Sequence, residues 1–232
     1  MSERYTIIAK AEEIEKRFRV EVPGTYAPRY NAAPTQVLPV ITNEHPKELS
    51  FFYWGLIPGW AKGKSVSSKF FNARAETINE KASFKNALKR RRCLVPADGY
   101  YEWKRLAKKS KIPYRIFLSS GELFAFAGLW EAYEDEHRNT VHTFTIITTK
   151  ANSSVSKIYE RMPVILEPKA EKKWLEATLS VEESINLLQP IHESNIEYHP
   201  VSSLVNSISN DKPQLIVPTP PADQFGNLSL FD

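Results

Sequence analysis

Four short segments set charged and amide side chains beside aromatic ones within otherwise apolar stretches: Trp54–Trp60, Phe71–Thr77, Pro96–Lys104 and Ile158–Leu166. Between them they carry Asn72, Arg74, Glu102 and Arg161, side chains that are costly to bury without a partner. Two roles suit such residues. They serve as turn formers and structural ion pairs, or they gather into a site. The familiar catalytic constellations do not occur in the sequence. His45, His137, His142, His192 and His199 are scattered, with no HExxH and no metal-ligand spacing, and there is no CxxC and no GxSxG elbow. GxGxxG and P-loop fingerprints are missing too. A standard hydrolase or metalloenzyme reading has little support, and neither a metal nor a cofactor is expected.

The elements that must hold these clusters read as mostly β. The 232-residue chain is 42% hydrophobic and 25% charged, enough apolar material for a sizeable core. Sixteen prolines against eight glycines suggest short strands joined by defined turns. Strands are predicted at Arg4–Ile8, Gln36–Thr42, Leu49–Trp54, Gly99–Trp103, Pro113–Leu118, Leu123–Leu129 and Val141–Thr148, where aromatic and β-branched residues concentrate. The spacing of Ala11, Ile14 and Phe18 predicts a helix over Lys10–Phe18. Others are predicted at Ser83–Arg91, at Pro168–Ala177 with proline near its first turn, and at Ser180–Leu188 with Ser180 and Glu183 as a capping box. Ile196–Pro218 returns to strand-like pieces, and the tail after Pro218 reads as an exposed terminus. This is a sheet-rich α+β pattern without a βα rhythm.

Net charge is +4, compatible with a polyanionic partner without requiring one. A single cysteine, Cys93, excludes an internal disulfide, fits a reducing compartment and reads as a core residue of an Arg92–Leu94 strand. The charged start and the lack of any long apolar window predict a cytoplasmic protein with no membrane span.

Read in order, Tyr30–Thr35, Trp54–Trp60, Asn72–Thr77, Arg91–Lys104, Phe124–Glu131, Ile146–Asn152, Arg161–Leu166 and Pro200–Asn206 resemble the SOS-response-associated peptidase family, also described as abasic-site-processing proteins. The resemblance covers nearly the whole chain. It implies a single α+β domain over residues 1–218 with a barrel-like mixed β core, a few peripheral helices and a tail at 219–232. The partner it implies is single-stranded DNA containing abasic sites, met by a monomer that joins the nucleoid when DNA is damaged.

Family members lose Met1 and present a cysteine, where Ser2 stands here, as the new N-terminus. Its α-amine condenses with the aldehyde of an opened abasic site and its thiol closes a ring. An α-amine with a pKa near ~8 keeps a useful neutral fraction at pH 7, unlike an ordinary lysine at ~10.4. By the same resemblance Asn72 positions the N-terminal residue and the sugar oxygens, and Glu102 shuttles protons. Arg4, Arg74 and Arg161 hold phosphates, while Trp60 and Pro34 offer apolar surfaces to bases, where stacking contributes ~1–3 kcal/mol per base. Thr148 and Thr149 lend hydroxyl contacts. Each arginine has the alternative of a structural salt bridge, Trp60 that of core packing, and the threonines that of a strand edge.

Two departures bear on this chemistry. Ser2 replaces the cysteine, with Glu3 where glycine is usual, and Tyr159 stands where a histidine normally precedes the arginine by two residues. A serine hydroxyl closes only an oxazolidine, which hydrolyses more readily. Tyrosine titrates near ~10 instead of ~6.5 and is a poor proton shuttle at neutral pH. Three functions stay open: covalent or imine linkage to abasic sites through the α-amine of residue 2, with weak lyase activity where the ring stays open; a single-stranded or junction DNA-binding module without cross-linking; and an autoproteolytic peptidase, as in the family name.

Overall fold

Short aromatic and β-branched runs do become strands, with prolines both inside them (Pro39, Pro113) and at their ends (Pro163, Pro200). The computed structural model describes residues 3–61, 70–107 and 110–228. Along the chain, β1 (Tyr5–Ile7) leads to α1 (Ala11–Phe18), followed by β2 (Arg29–Ala32), β3 (Val37–Thr42), β4 (Ser50–Trp54) and β5 (Asn72–Arg74). Next come α2 (Ala82–Arg90), β6 (Arg92–Ala97), β7 (Gly99–Ala107), β8 (Ser110–Leu118), β9 (Phe124–Glu134) and β10 (Thr140–Lys150). The described chain continues with β11 (Arg161–Pro163), β12 (Ile165–Leu166), α3 (Pro168–Trp174), α4 (Val181–Asn186) and β13 (Ile196–Pro200).

Five of these strands close on themselves. β10 pairs with β4 in parallel, and β4–β3, β3–β6, β6–β9 and β9–β10 are all antiparallel, so the ring returns to its start. The expected mixed barrel core is thus present, and closure leaves these five strands few unpaired edges. A second sheet, in the order β13-β8-β7-β1-β2, is antiparallel throughout. Tyr5 joins the two sheets. Its ring lies 5.3 Å from that of Trp54 and 5.9 Å from that of Phe126, both edge-on. The barrel is tightly packed where β9 crosses between β6 and β10: a Cβ on Gly128 would sit 2.8 Å from Cys93 Sγ. Cys93 itself is fully buried, as its strand position predicts, and burial pushes its thiol pKa up.

β10 outruns the barrel. Its first half lies between β9 and β4, whereas Ile146–Thr148 pair with β5 and Thr148–Lys150 with β11. The change of neighbours carries two predicted site segments, Asn72–Arg74 and Arg161–Pro163, to either side of one strand.

Local signals account for the helix ends. Ser180 Oγ accepts from the Glu183 amide and the Glu183 carboxylate accepts from the Ser180 amide, completing the predicted capping box of α4. The strand-like reading of Ile196–Pro218 holds only to Pro200. Beyond it the chain turns as 3-10 helices at Ser203–Asn206 and Pro213–Ile216, because Ser202 Oγ accepts from the Leu204 amide and Pro213 opens the second turn. The stretch after Pro218 folds back: Thr219 N–H donates to Pro200 O at 3.1 Å, and Ala222 bridges to Leu228. No helix among the described residues is long and apolar enough to cross a membrane.

Candidate functional site

β7 is paired on both flanks, with β1 at Tyr5↔Tyr100 and with β8 at Glu102↔Tyr114. Alternation along it turns Tyr101 inward, where its hydroxyl donates to Tyr30 O at 2.8 Å, and sends Glu102 to the opposite face. Glu102 is only 1% exposed, yet it lines a cavity of about 580 Å³. Glu3 and Arg4, entering β1, form one wall; Trp103 and Arg105 continue the β7 wall, and Lys111 faces them from β8. Tyr159, Asn206 and Gln224 complete the lining. Three cations therefore surround two carboxylates and two aromatic rings, a mixture suited to an anionic, partly aromatic ligand. Among the described residues no group of three or more His, Cys, Asp and Glu side chains is arranged to hold a metal.

Of the residues singled out in the sequence, Arg4, Glu102 and Tyr159 meet in this cavity. Tyr159 is half-buried, and burial, followed by the charge of Glu102, pushes its phenol above the ordinary tyrosine value. Ser2, the expected nucleophile-bearing residue, lies outside the described residues together with Met1. Arg4 is engaged internally. Its Nη1 donates to Asn31 Oδ1 at 3.0 Å and to Val205 O at 2.8 Å, and its Nη2 donates to Asn206 O at 3.2 Å. Burial lowers its pKa. It thereby fastens the Ser203–Asn206 turn to β1, so the structural alternative describes Arg4 better than an open phosphate clamp.

A second group gathers around the outer half of β10. Asn72 is half-buried opposite Ile146, and Arg74 is exposed opposite Thr148. Thr148 and Thr149 are both buried, which leaves little hydroxyl surface for a contact with DNA. Arg161 is 8% exposed and grips Glu76 in two parallel bonds of 3.0 and 2.9 Å, while its Nη2 also donates to Thr148 O at 2.8 Å. Burial pushes the Glu76 carboxyl up, but the hydrogen bonds from Arg161 and from its own backbone, together with the charges of Arg161 and Arg74, outweigh that and hold it below its usual value. Arg161 is thus seated in a salt bridge. Arg74, of the three arginines, is the one that faces solvent.

Trp60 and Pro34 lie apart from Glu102. Trp60 is 61% exposed, which removes the core-packing alternative, and it lines a separate cavity of about 620 Å³ with Lys89, Arg90 and Arg91 at the end of α2. Pro34 is half-buried in the turn between β2 and β3, where Thr35 takes φ = 69°, a left-handed conformation that strains a β-branched residue. The Thr35 amide donates to Trp54 O at 2.8 Å and holds the turn in place.

Sequence reasoning missed Glu76, Trp103, Arg105, Lys111, Asn206 and Gln224. Trp103 and Asn206 fall within quoted segments and could have been weighed by their chemistry. Lys111 and Gln224 carry no local signal, since strand register and the folded-back tail bring them to the cavity.

Fold and site together define a sheet-rich α+β protein with a closed mixed barrel and a cation-rimmed cleft around one buried glutamate. The chain belongs to the SOS response associated peptidase (SRAP) family, whose pattern matches residues 1–208. It is 45% identical over 221 residues to abasic site processing protein YoqW of Bacillus subtilis, a match spanning 93% of this chain and 99% of that protein. It is 34% identical to abasic site processing protein HMCES of Gallus gallus over 84% of this chain and 67% of that protein. A crystal structure of a protein from Bacteroides thetaiotaomicron superposes with a TM-score of 0.85 at 30% identity, over 93% of this chain and 99% of the other.

Proposed function

We propose that this protein processes abasic sites in DNA, taking the lesion within a single strand into the cavity at Glu102. The observation that carries the reading is the placement of Glu102, 1% exposed on a rigid central strand, in one cavity with Glu3, Arg4, Tyr159 and two further cations. Glu3 is joined by a single peptide bond to Ser2. The names of the relatives, abasic site processing proteins, agree with this substrate.

The chemistry that fits is condensation. After removal of Met1, the neutral α-amine of Ser2 adds to the C1′ aldehyde of the opened sugar, giving a carbinolamine. Glu102 takes the amine proton and returns one to the departing hydroxyl, so water leaves and an imine remains. Addition of the Ser2 hydroxyl across the C=N bond would close an oxazolidine. Tyr159 holds its proton well past neutral pH, so it donates a hydrogen bond but does not relay protons. This favours a reversible imine over a stable ring. The same observation gives a second reading some weight, a protein that binds the lesion without linking to it.

Intact mass of the protein after incubation with an abasic single-stranded oligonucleotide, with and without borohydride, separates these outcomes. An adduct seen only with borohydride supports the reversible imine. Survival without reductant means ring closure. No adduct from protein that has lost Met1 leaves the binding reading.

A further inference from the structure

We infer that the hairpin Ala222–Leu228 is a working wall of this cavity, with Gln224 contacting the bound nucleotide and Phe225 offering its ring to a base beside the lesion. The inference rests on the DNA reading above. The hairpin lies beyond the residues that match the family pattern, which end at 208.

The hairpin is anchored by its own hydrogen bonds. Asp223 is 5% exposed and accepts from Ser110 Oγ at 3.0 Å, from the Phe225 amide at 2.9 Å and from the Asn227 amide at 3.0 Å. Its own amide donates to Asn227 O at 2.9 Å, and Gly226 turns the chain at φ = 85°. Gln224 lines the cavity, and its Oε1 accepts from the Lys111 amide at 2.9 Å, which fixes the plane of its side-chain amide. Lys111 in turn holds its ammonium 5.7 Å from the ring centroid of Trp103, whose Nε1 donates to Asn206 Oδ1 at 2.8 Å. Hairpin, β8, Trp103 and Asn206 thus form one continuous wall.

The hairpin turns its acid inward and its apolar side chains outward. Phe225 is 70% exposed and Leu228 64% exposed, the reverse of what a solvated turn requires. An exposed ring one residue from a cavity-lining amide, on a backbone already locked, presents a π-face at little entropic cost, as base stacking demands.

The test is fluorescence anisotropy of the full-length protein with an abasic single-stranded oligonucleotide, comparing the unaltered chain with Phe225→Ala, Phe225→Trp, Gln224→Ala and Asp223→Ala. Stacking of ~1–3 kcal/mol per base predicts that Phe225→Ala weakens binding by roughly 5-fold or more and that Phe225→Trp retains it. Gln224→Ala should weaken binding by roughly 2- to 10-fold, the range of one hydrogen bond. Asp223→Ala, which releases the hairpin, should lose at least as much as either. Phe225 and Gln224 are outside the hydrophobic core, so thermal melting of both alanine variants should match the unaltered protein and exclude misfolding. Unchanged binding by Phe225→Ala and Gln224→Ala, against a parent that binds, overturns the inference alone. Tighter binding overturns it as well, because the hairpin would then be covering the site. Failure of the unaltered protein to bind overturns the DNA reading and this inference with it.

Discussion

Arg92 and Arg161 are both buried arginines at strand starts, and the structure uses them differently. Arg92 is 0% exposed and its guanidinium donates to main-chain carbonyls: Leu88 O and Lys89 O at the end of α2, and Trp174 O and Glu176 O at the end of α3. It neutralises two helix C-termini at once, the ends at which carbonyls are left over and the dipole is negative. Arg161 holds one main-chain carbonyl, Thr148 O, and otherwise a side-chain carboxylate, that of Glu76, whose side chain is 39% exposed. A ligand cannot replace four main-chain carbonyls without unfolding two helices. A phosphate can replace one carboxylate near the surface. The difference sets an arginine tied to main-chain carbonyls of two helices against one tied to a carboxylate near the surface.

The largest expected effect is at Arg92. Arg92→Ala strands four carbonyls, two of them in fully buried bonds, and at ~1–3 kcal/mol for each unsatisfied buried group we expect a loss above ~2 kcal/mol in denaturant unfolding. A loss under ~1 kcal/mol would mean that solvent caps these helices as well as the guanidinium does. Arg161→Ala should weaken single-strand binding about tenfold and flatten its salt dependence by about 0.7 in log–log slope for one phosphate contact. An unchanged slope would make Arg161 a second scaffold arginine and erase the contrast.

Next in size is Tyr159, two residues before Arg161. Burial and Glu102 lift its phenol, so the adduct yield of the unaltered protein should show no inflection from this residue between pH 5 and 8. Tyr159→His should raise the rate of adduct formation and bring an inflection near ~6.5, read by borohydride trapping across pH. The smallest effect concerns Glu76. Its pKa is lowered on folding, so its contribution is complete above its unfolded value of ~4.3 and is lost as pH falls through the folded value. The stability difference between the parent and Glu76→Gln should therefore be greatest near neutral pH and vanish in acid. With this side chain more than a third exposed, it should stay within about 1 kcal/mol.

Legibility followed the range of the interactions. α1, predicted at Lys10–Phe18, forms at Ala11–Phe18, and the capping box at Ser180 forms as written, because periodicity and caps act within one or two turns. β5, β11 and β12 escaped notice. They are three, three and two residues long, too short for alternation to register, and exist because β9 and β10 offer free edges. The site divided in the same way. Glu102 and Arg161 stood out as polar residues in apolar strands, whereas Lys111 and Gln224 became neighbours of Glu102 through the β7–β8 register and the returning tail.

By itself the sequence determined the sheet-rich class, the helix caps, the burial of Cys93 and the family to which the chain belongs. All of these rest on residue type and near-neighbour order. Tertiary structure alone decided which acceptors each buried arginine holds, and which wall Gln224 occupies. A guanidinium has the same chemistry at every position in a chain, and its role is set by the acceptors that folding brings within about 3 Å of it.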